Sequence, residues 1–200
     1  MKKIPTLFTR VFDKQGKRSK IVDILPEITP GCEEAFLHGE ATVKIDGSCC
    51  AVIDGIFYKR YDAKGGKTPP EGAIPCCDPD PVTGHHPHWV EVDPDNPGDK
   101  WFIEALKYSA TETFDILDGT YEAVGPHFQA NPYEFDKDVI IPHGKAPCEN
   151  FGPLERTFEG VKKWLTENNQ EGIVFWLNGE PVCKIKRTDF GLKWPVKGEN

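Results

Sequence analysis

The sequence predicts an α+β fold made of antiparallel sheets flanked by a few helices. Three observations lead there. Stretches with strand character outnumber those with helical period. Two pairs of such stretches are joined by hairpin dipeptides, Asp54-Gly55 and Asn178-Gly179. No internal repeat is visible, which sets aside solenoids and propellers.

Taken in order, residues 1–40 carry little pattern. Ile21-Val22-Asp23-Ile24-Leu25 is a short apolar run stopped by Pro26, and Pro30-Gly31 is a turn. Ala41-Thr42-Val43 reads as a strand leading into Lys44-Ile45-Asp46-Gly47-Ser48, and Cys49-Cys50-Ala51-Val52-Ile53 leads out. Residues 49–53 pair with 56–61, which end in Tyr58-Lys59-Arg60-Tyr61-Asp62 before Gly65-Gly66 breaks the strand. Residues 68–98 read as a long acidic loop rich in proline, and loops of that length are functional or disordered. Asp99 is placed to cap a helix to about Ala110, with Phe102, Ala105, Leu106 and Ser109 on one face. Residues 120–124 and 139–141 read as strands, ended by Gly125-Pro126 and by Pro142. A second helix runs from about Phe158 to Asn168, with Phe158, Val161, Trp164 and Leu165 at helical spacing. Residues 172–177 and 181–187 form the last hairpin.

The 200 residues fit a single domain, 1–200, with a real core. No apolar run approaches the roughly 20 residues of a membrane helix, and Arg10 interrupts the first apolar stretch too early for a signal peptide. Seven cysteines, two pairs of them vicinal, make a poor disulfide framework and predict a reducing, cytoplasmic setting. The proline-rich loop holds Cys76, Cys77, His85, His86 and His88, but without the spacing of a zinc site. A stiffened lid or substrate-side loop is the preferred reading. The net charge of −8 argues against a protein that simply coats nucleic acid. The charge is uneven: residues 1–20 carry seven Lys/Arg against Asp13, and 181–200 carry five against Asp189 and Glu199. From charge alone this is a solvated mixed surface; were both ends on one face, they would form a track for phosphates.

The chemistry centres on Lys44-Ile45-Asp46-Gly47. An ordinary lysine ammonium, titrating at about 10.4, is no nucleophile, so a reactive lysine must be desolvated or crowded by cations. On an extended chain Asp46 points the same way as Lys44, where its carboxylate can orient a ribose hydroxyl or the lysine itself. Gly47 lets the backbone turn or approach a ligand closely. Lys184 and Lys186, two apart on a strand, face one side and suit triphosphate oxygens. Glu122 and Glu171 border apolar strands, where a carboxylate is costly without a partner. Each feature alone also fits an exposed strand or turn.

Five features recur in a known order: Lys44-Ile45-Asp46-Gly47, a basic strand end with Arg60, Tyr121-Glu122-Ala123-Val124-Gly125, Glu171-Gly172-Ile173-Val174-Phe175 and Lys184-Ile185-Lys186. The set resembles the motifs of the covalent nucleotidyltransferases, the ATP-dependent DNA and RNA ligases and the mRNA capping enzymes. Gly125-Pro126 with Asn131-Pro132-Tyr133, and the run Lys186-Arg187-Thr188-Asp189-Phe190-Gly191-Leu192-Lys193-Trp194-Pro195, resemble RNA ligases, most closely the animal ATP-dependent 5′-to-3′ RNA ligase family. The resemblance spans about residues 40 to 195.

It implies a nucleotidyltransferase fold, the ATP-grasp-like ligase adenylation fold. It implies a monomer that joins RNA 5′-phosphate and 3′-hydroxyl ends, using ATP and Mg²⁺ (or Mn²⁺). Lys44 would be the nucleophile. Asp46, Gly47, Arg60, Glu122, Lys184 and Lys186 would bind nucleotide, with Lys59 an alternative to Arg60. Glu171 and Glu122 would serve the metal. The acid that often precedes the nucleophile is Val43 here, so adenine recognition from that side falls to backbone or another residue. His143 is the candidate for stacking on the purine. Only fourteen residues follow Lys186, so no OB-fold domain is expected. Other outputs of the same chemistry are DNA ligation and adenylylation of proteins or small molecules; a non-catalytic nucleic-acid-binding module is the remaining alternative.

Overall fold

The computed structural model describes residues 3–13, 20–64, 67–80, 84–112 and 115–196. The Gly65-Gly66 break, and the basic residues Lys2, Lys14, Lys17, Arg18 and Lys197, lie outside them. The class is α+β with antiparallel sheets and few helices. In chain order the strands are β1 (Phe8–Asp13), β2 (Lys20–Ile28), β3 (Glu40–Lys44), β4 (Ser48–Ile53), β5 (Ile56–Ala63), β6 (Ile74–Pro75), β7 (His86–Glu91), β8 (Gly119–Val124), β9 (Val139–Pro142), β10 (Gly172–Leu177) and β11 (Glu180–Lys186). The helices are α1 (Glu33–His38), α2 (Lys100–Glu112) and α3 (Phe158–Glu167). By its internal contacts the chain divides into two compact units. One holds Asp46–His143, the other Ile4–Ile45 with the residues from Gly144 on.

In the Asp46–His143 unit, six strands pair in the order β6-β7-β5-β4-β8-β9. Alternation gives this sheet two unlike faces. Cys50 and Val52 of β4, Phe57 of β5, Tyr121 and Ala123 of β8 and Ile140 of β9 form a core with Ala105 of α2. Ser109, also buried on that helix, accepts a hydrogen bond from Ile140 N at 2.9 Å, so the small polar residue is satisfied. Asp99 does not cap α2. It ends a 3₁₀ turn, Pro97–Asp99, that runs straight into the helix. Its buried carboxylate instead accepts from Asp93 N at 3.0 Å and pairs with Lys59.

The expectation of a loop through residues 68–98 is corrected here. That stretch supplies β6 and β7, with β7 laid antiparallel along β5 from His86↔Ala63 to Glu91↔Tyr58. His88 and Trp89 are buried. The pairing is long-range and prolines mask its alternation, so it left no local signal.

The second unit has a three-stranded sheet, β11-β10-β3, and a two-stranded ribbon, β1-β2. Val43, Ile173, Phe175 and Ile185 bury one face of the larger sheet against Val161, Trp164 and Leu165 of α3 and Phe36 of α1. Aromatic edges lock this core: Phe8 lies 5.0 Å from Phe158, and Phe36 lies 5.4 Å from Phe175. Thr157 caps α3, its hydroxyl accepting from Gly160 N at 3.0 Å, and Asn168 ends it. Pro26 does not stop β2. The register passes from Phe8↔Ile28 to Arg10↔Ile24, so the proline sits in an irregularity of a two-stranded ribbon, where a missing N–H is tolerated. No helix is long and apolar enough to cross a membrane among the described residues.

Candidate active site

In the second unit β10 is the central strand. Gly172 stands opposite Lys44 of β3 on one side and opposite Lys186 of β11 on the other. Residues directly opposite in a sheet project to the same face, so both lysines leave the face turned away from the Val43–Ile173–Ile185 core. Lys184, two residues before Lys186, joins them by alternation. Glu171, only 4% exposed, ties the row together. One of its carboxylate oxygens pairs with Lys44 Nζ and the other with Lys186 Nζ. The carboxylate that sequence reasoning found costly to bury thus has two partners.

Lys184 makes no ion pair among the described residues. Burial above all, then the charges of Lys44, Lys186 and Arg10, push its ammonium down to about 8, against a smaller opposing pull from Glu171. Arg10 and Asp189 complete the cluster. Arg10 Nη2 donates to Asp189 Oδ1 at 2.6 Å, and Lys186 N donates to Asp189 Oδ2 at 2.9 Å. Four cations thus stand with two carboxylates, an arrangement suited to a polyanion. Gly172 keeps the row tight, for a Cβ there would fall 2.2 Å from Ile185 O. Gly172→Ala must push β11 away and is expected to cost about 1–3 kcal/mol. Urea denaturation checks this; an unchanged midpoint contradicts the packing.

In the Asp46–His143 unit a second cluster lies on the sheet face opposite α2. Glu122 of β8 is paired in register with Cys49 of β4 and Ile141 of β9. Its Oε1 accepts from Gly47 N at 3.2 Å, and its Oε2 meets His143 Nε2 at 2.9 Å. His143 Nδ1 meets Thr120 Oγ1 at 3.0 Å, so both ring nitrogens are engaged and the ring's orientation is fixed. Gly47 is needed for close approach: a Cβ would fall 2.3 Å from Ala123 O. Asp46 is not on a strand, because β3 ends at Lys44, so strand alternation does not relate the two side chains. Its backbone N–H donates to the Tyr133 hydroxyl at 2.7 Å.

Strand parity puts Lys59 and Arg60 on opposite faces of the sheet. Lys59, opposite Cys50, faces α2 and pairs with buried Asp99. Arg60 emerges on the other face, the one that also carries Cys49. Burial chiefly, then Glu122, pushes the Cys49 thiol up to about 12, so it is not a nucleophile. All seven cysteines are free. Among the described residues no three His, Cys, Asp or Glu side chains gather as a metal site.

The predicted site residues therefore fall in two clusters. Lys44, Glu171, Lys184 and Lys186 come together in one unit, and Gly47, Glu122, His143 and Arg60 share a region of the other. Sequence reasoning gave no role to Arg10, Asp189 or Tyr133. Arg10 and Asp189 are 179 residues apart. Tyr133 stood within a motif, without an assigned partner.

Comparison with known proteins adds a second line of support. A family model described as RNA ligase 1 matches residues 104–200. RNA ligase 1 of Danio rerio is similar at 28% identity, over 97% of this chain and 82% of its own length. RNA ligase 1 of Pongo abelii is 27% identical over 78% of this chain and 68% of its own, and the Rattus norvegicus protein is 24% identical over the same shares.

Proposed function

We propose, from its kinship with the animal RNA ligase family, that this chain is an ATP-dependent RNA ligase built on a nucleotidyltransferase fold. One observation carries the reading. Lys44 and Lys186 share the Glu171 carboxylate on a single sheet face, with Lys184 beside them. That is a lysine amine set among cations that would hold the phosphates it attacks.

In the first step Lys44 Nζ forms a bond to the α-phosphorus of ATP. The bond from that phosphorus to the bridging oxygen breaks, and pyrophosphate leaves. Glu171, hydrogen-bonded to the same nitrogen, is in place to take its proton. Lys184 and Lys186 offset the charge that builds on the leaving group. In the second step an RNA 5′-phosphate oxygen takes AMP from Lys44. In the third, a 3′-hydroxyl attacks the activated 5′-phosphate, expels AMP and seals the strand. Within the Asp46–His143 unit, Glu122 and Arg60 are an acceptor and a donor of the kind that suit a ribose and a phosphate, and Asp46 adds a carboxylate. His143, pinned at both nitrogens, has only its ring face left for a base.

Glu171, and separately Glu122, would offer carboxylate oxygens of the kind that suit Mg²⁺ (or Mn²⁺), an ion held by few protein carboxylates and by substrate phosphates rather than an all-protein cage. When bound it would neutralise charge on the phosphoryl oxygens.

Sealing assays test the function. RNA with 5′-phosphate and 3′-hydroxyl ends should be joined in the presence of ATP, and matched DNA poorly, since the 2′-hydroxyl separates the two polymers. Equal rates on both would overturn the RNA assignment. The pH dependence gives a second check. Lys184 loses its charge as pH rises through about 8, so kcat/KM for the ATP step should fall across that range. Lys184→Arg, charged at every accessible pH, should move the fall upward. An identical profile in both proteins would remove Lys184 from phosphate binding.

A further inference from the structure

We propose that Arg10 is a further cation of the triphosphate site, gripping the β- and γ-phosphate end of the nucleotide and then the departing pyrophosphate. This rests on the reading above of the lysine cluster as a phosphate site.

The placement starts from β1. Phe8 and Arg10 both reach one 3₁₀ turn. Phe8 packs 6.4 Å from Phe190, and Arg10 meets Asp189, the preceding residue on the 3₁₀ turn Arg187–Phe190. The Asp189 side chain is 1% exposed. Its Oδ1 accepts from both Arg10 Nε, at 3.0 Å, and Arg10 Nη2, at 2.6 Å. Its Oδ2 accepts from Lys186 N at 2.9 Å. One buried carboxylate therefore fastens the guanidinium to the strand end that carries Lys186.

A guanidinium has five N–H donors, and Asp189 engages only two. The Arg10 side chain keeps 24% exposure, so it is not sealed in the core. Charge points the same way. Arg10, Lys44, Lys184 and Lys186 face Glu171 and Asp189, which leaves a cationic excess. The segment leading into β1 lies along Lys184: Leu7 N donates to Lys184 O at 2.7 Å and Lys184 N to Pro5 O at 3.0 Å. Mutually repelling cations are costly unless an anion fills the space among them. A planar fork suits two phosphate oxygens at once, which a lysine cannot match.

The alternative is a purely structural role, with Arg10 tying β1 to the 3₁₀ turn. Calorimetry with inorganic pyrophosphate, alongside ATP labelling kinetics, separates the two for wild type, Arg10→Ala and Arg10→Lys. Wild type should bind pyrophosphate. Arg10→Ala should weaken that binding, and raise KM for ATP, by roughly tenfold or more, with a smaller change in kcat. Arg10→Lys, which keeps the stem and the charge, should fold as wild type does and recover only part of the binding. Unchanged pyrophosphate binding in Arg10→Ala, or full recovery in Arg10→Lys, overturns the forked contact. If pyrophosphate binding falls as expected but no lysine is labelled by ATP, Arg10 stands as an anion ligand and the ligase reading fails.

Discussion

Lys44→Ala should abolish capture of AMP from ATP while leaving the protein folded. A phosphoramidate needs an amine, and no other lysine of the sequence has the Asp-Gly context that follows Lys44. The fold should survive because Glu171 is doubly paired. Removing Lys44 leaves its carboxylate with Lys186, so no buried charge is orphaned. Lys44→Arg is the sharper variant. It keeps the cation beside Glu171, yet a guanidinium does not deprotonate in proteins and cannot serve as the nucleophile. Both should show no label after denaturation, with melting temperatures near wild type. Full labelling of either would remove Lys44 from the chemistry.

Substituting Lys184 or Lys186 by Ala should slow the first step by about 10²–10³, the usual loss when a group facing developing charge is removed. The two should differ in character. Lys186→Ala also strips Glu171 of a partner and leaves Lys44 as its ion-pair partner among the described residues. Lys184→Ala removes a cation with no carboxylate of its own among the described residues, so its effect should lie in phosphate binding and should shrink at high pH, where wild-type Lys184 is itself neutral. Single-turnover labelling across pH measures both. A rate within twofold of wild type for either would return that residue to an exposed strand face.

Much of this fold was legible locally. The β4-β5 and β10-β11 hairpins lie where Asp54-Gly55 and Asn178-Gly179 put them, and α3 carries its apolar residues at the expected spacing. What escaped depends on distant pairing. β7 joins β5 through a stretch whose prolines and histidines hide any alternation, so it read as a loop. α1 has only six residues, too few to show a helical period. β2 runs through Pro26 because a ribbon two strands wide tolerates the missing donor.

The candidate site shows the same division. Parity alone put Lys184 and Lys186 on one face. That Lys44 joins them follows from β3 and β11 flanking β10, a pairing between residues 127 apart in the case of Lys44 and Glu171. No local pattern carries that information, and the order of motifs did so only by resemblance. Strand parity could have set Lys59 and Arg60 on opposite faces, but only the sheet shows which face α2 covers. Val43 packs in the core of its unit, so its side chain is not presented to a base.

The proposed ligase activity depends on a covalent bond between Lys44 and AMP. Mass spectrometry of peptides from protein incubated with ATP and Mg²⁺ detects that bond. The adduct should sit on the peptide that contains Lys44, should require ATP, and should disappear when RNA bearing a 5′-phosphate is added. No adduct, or an adduct confined to Lys184 or Lys186, would contradict the assignment of Lys44 as the nucleophile.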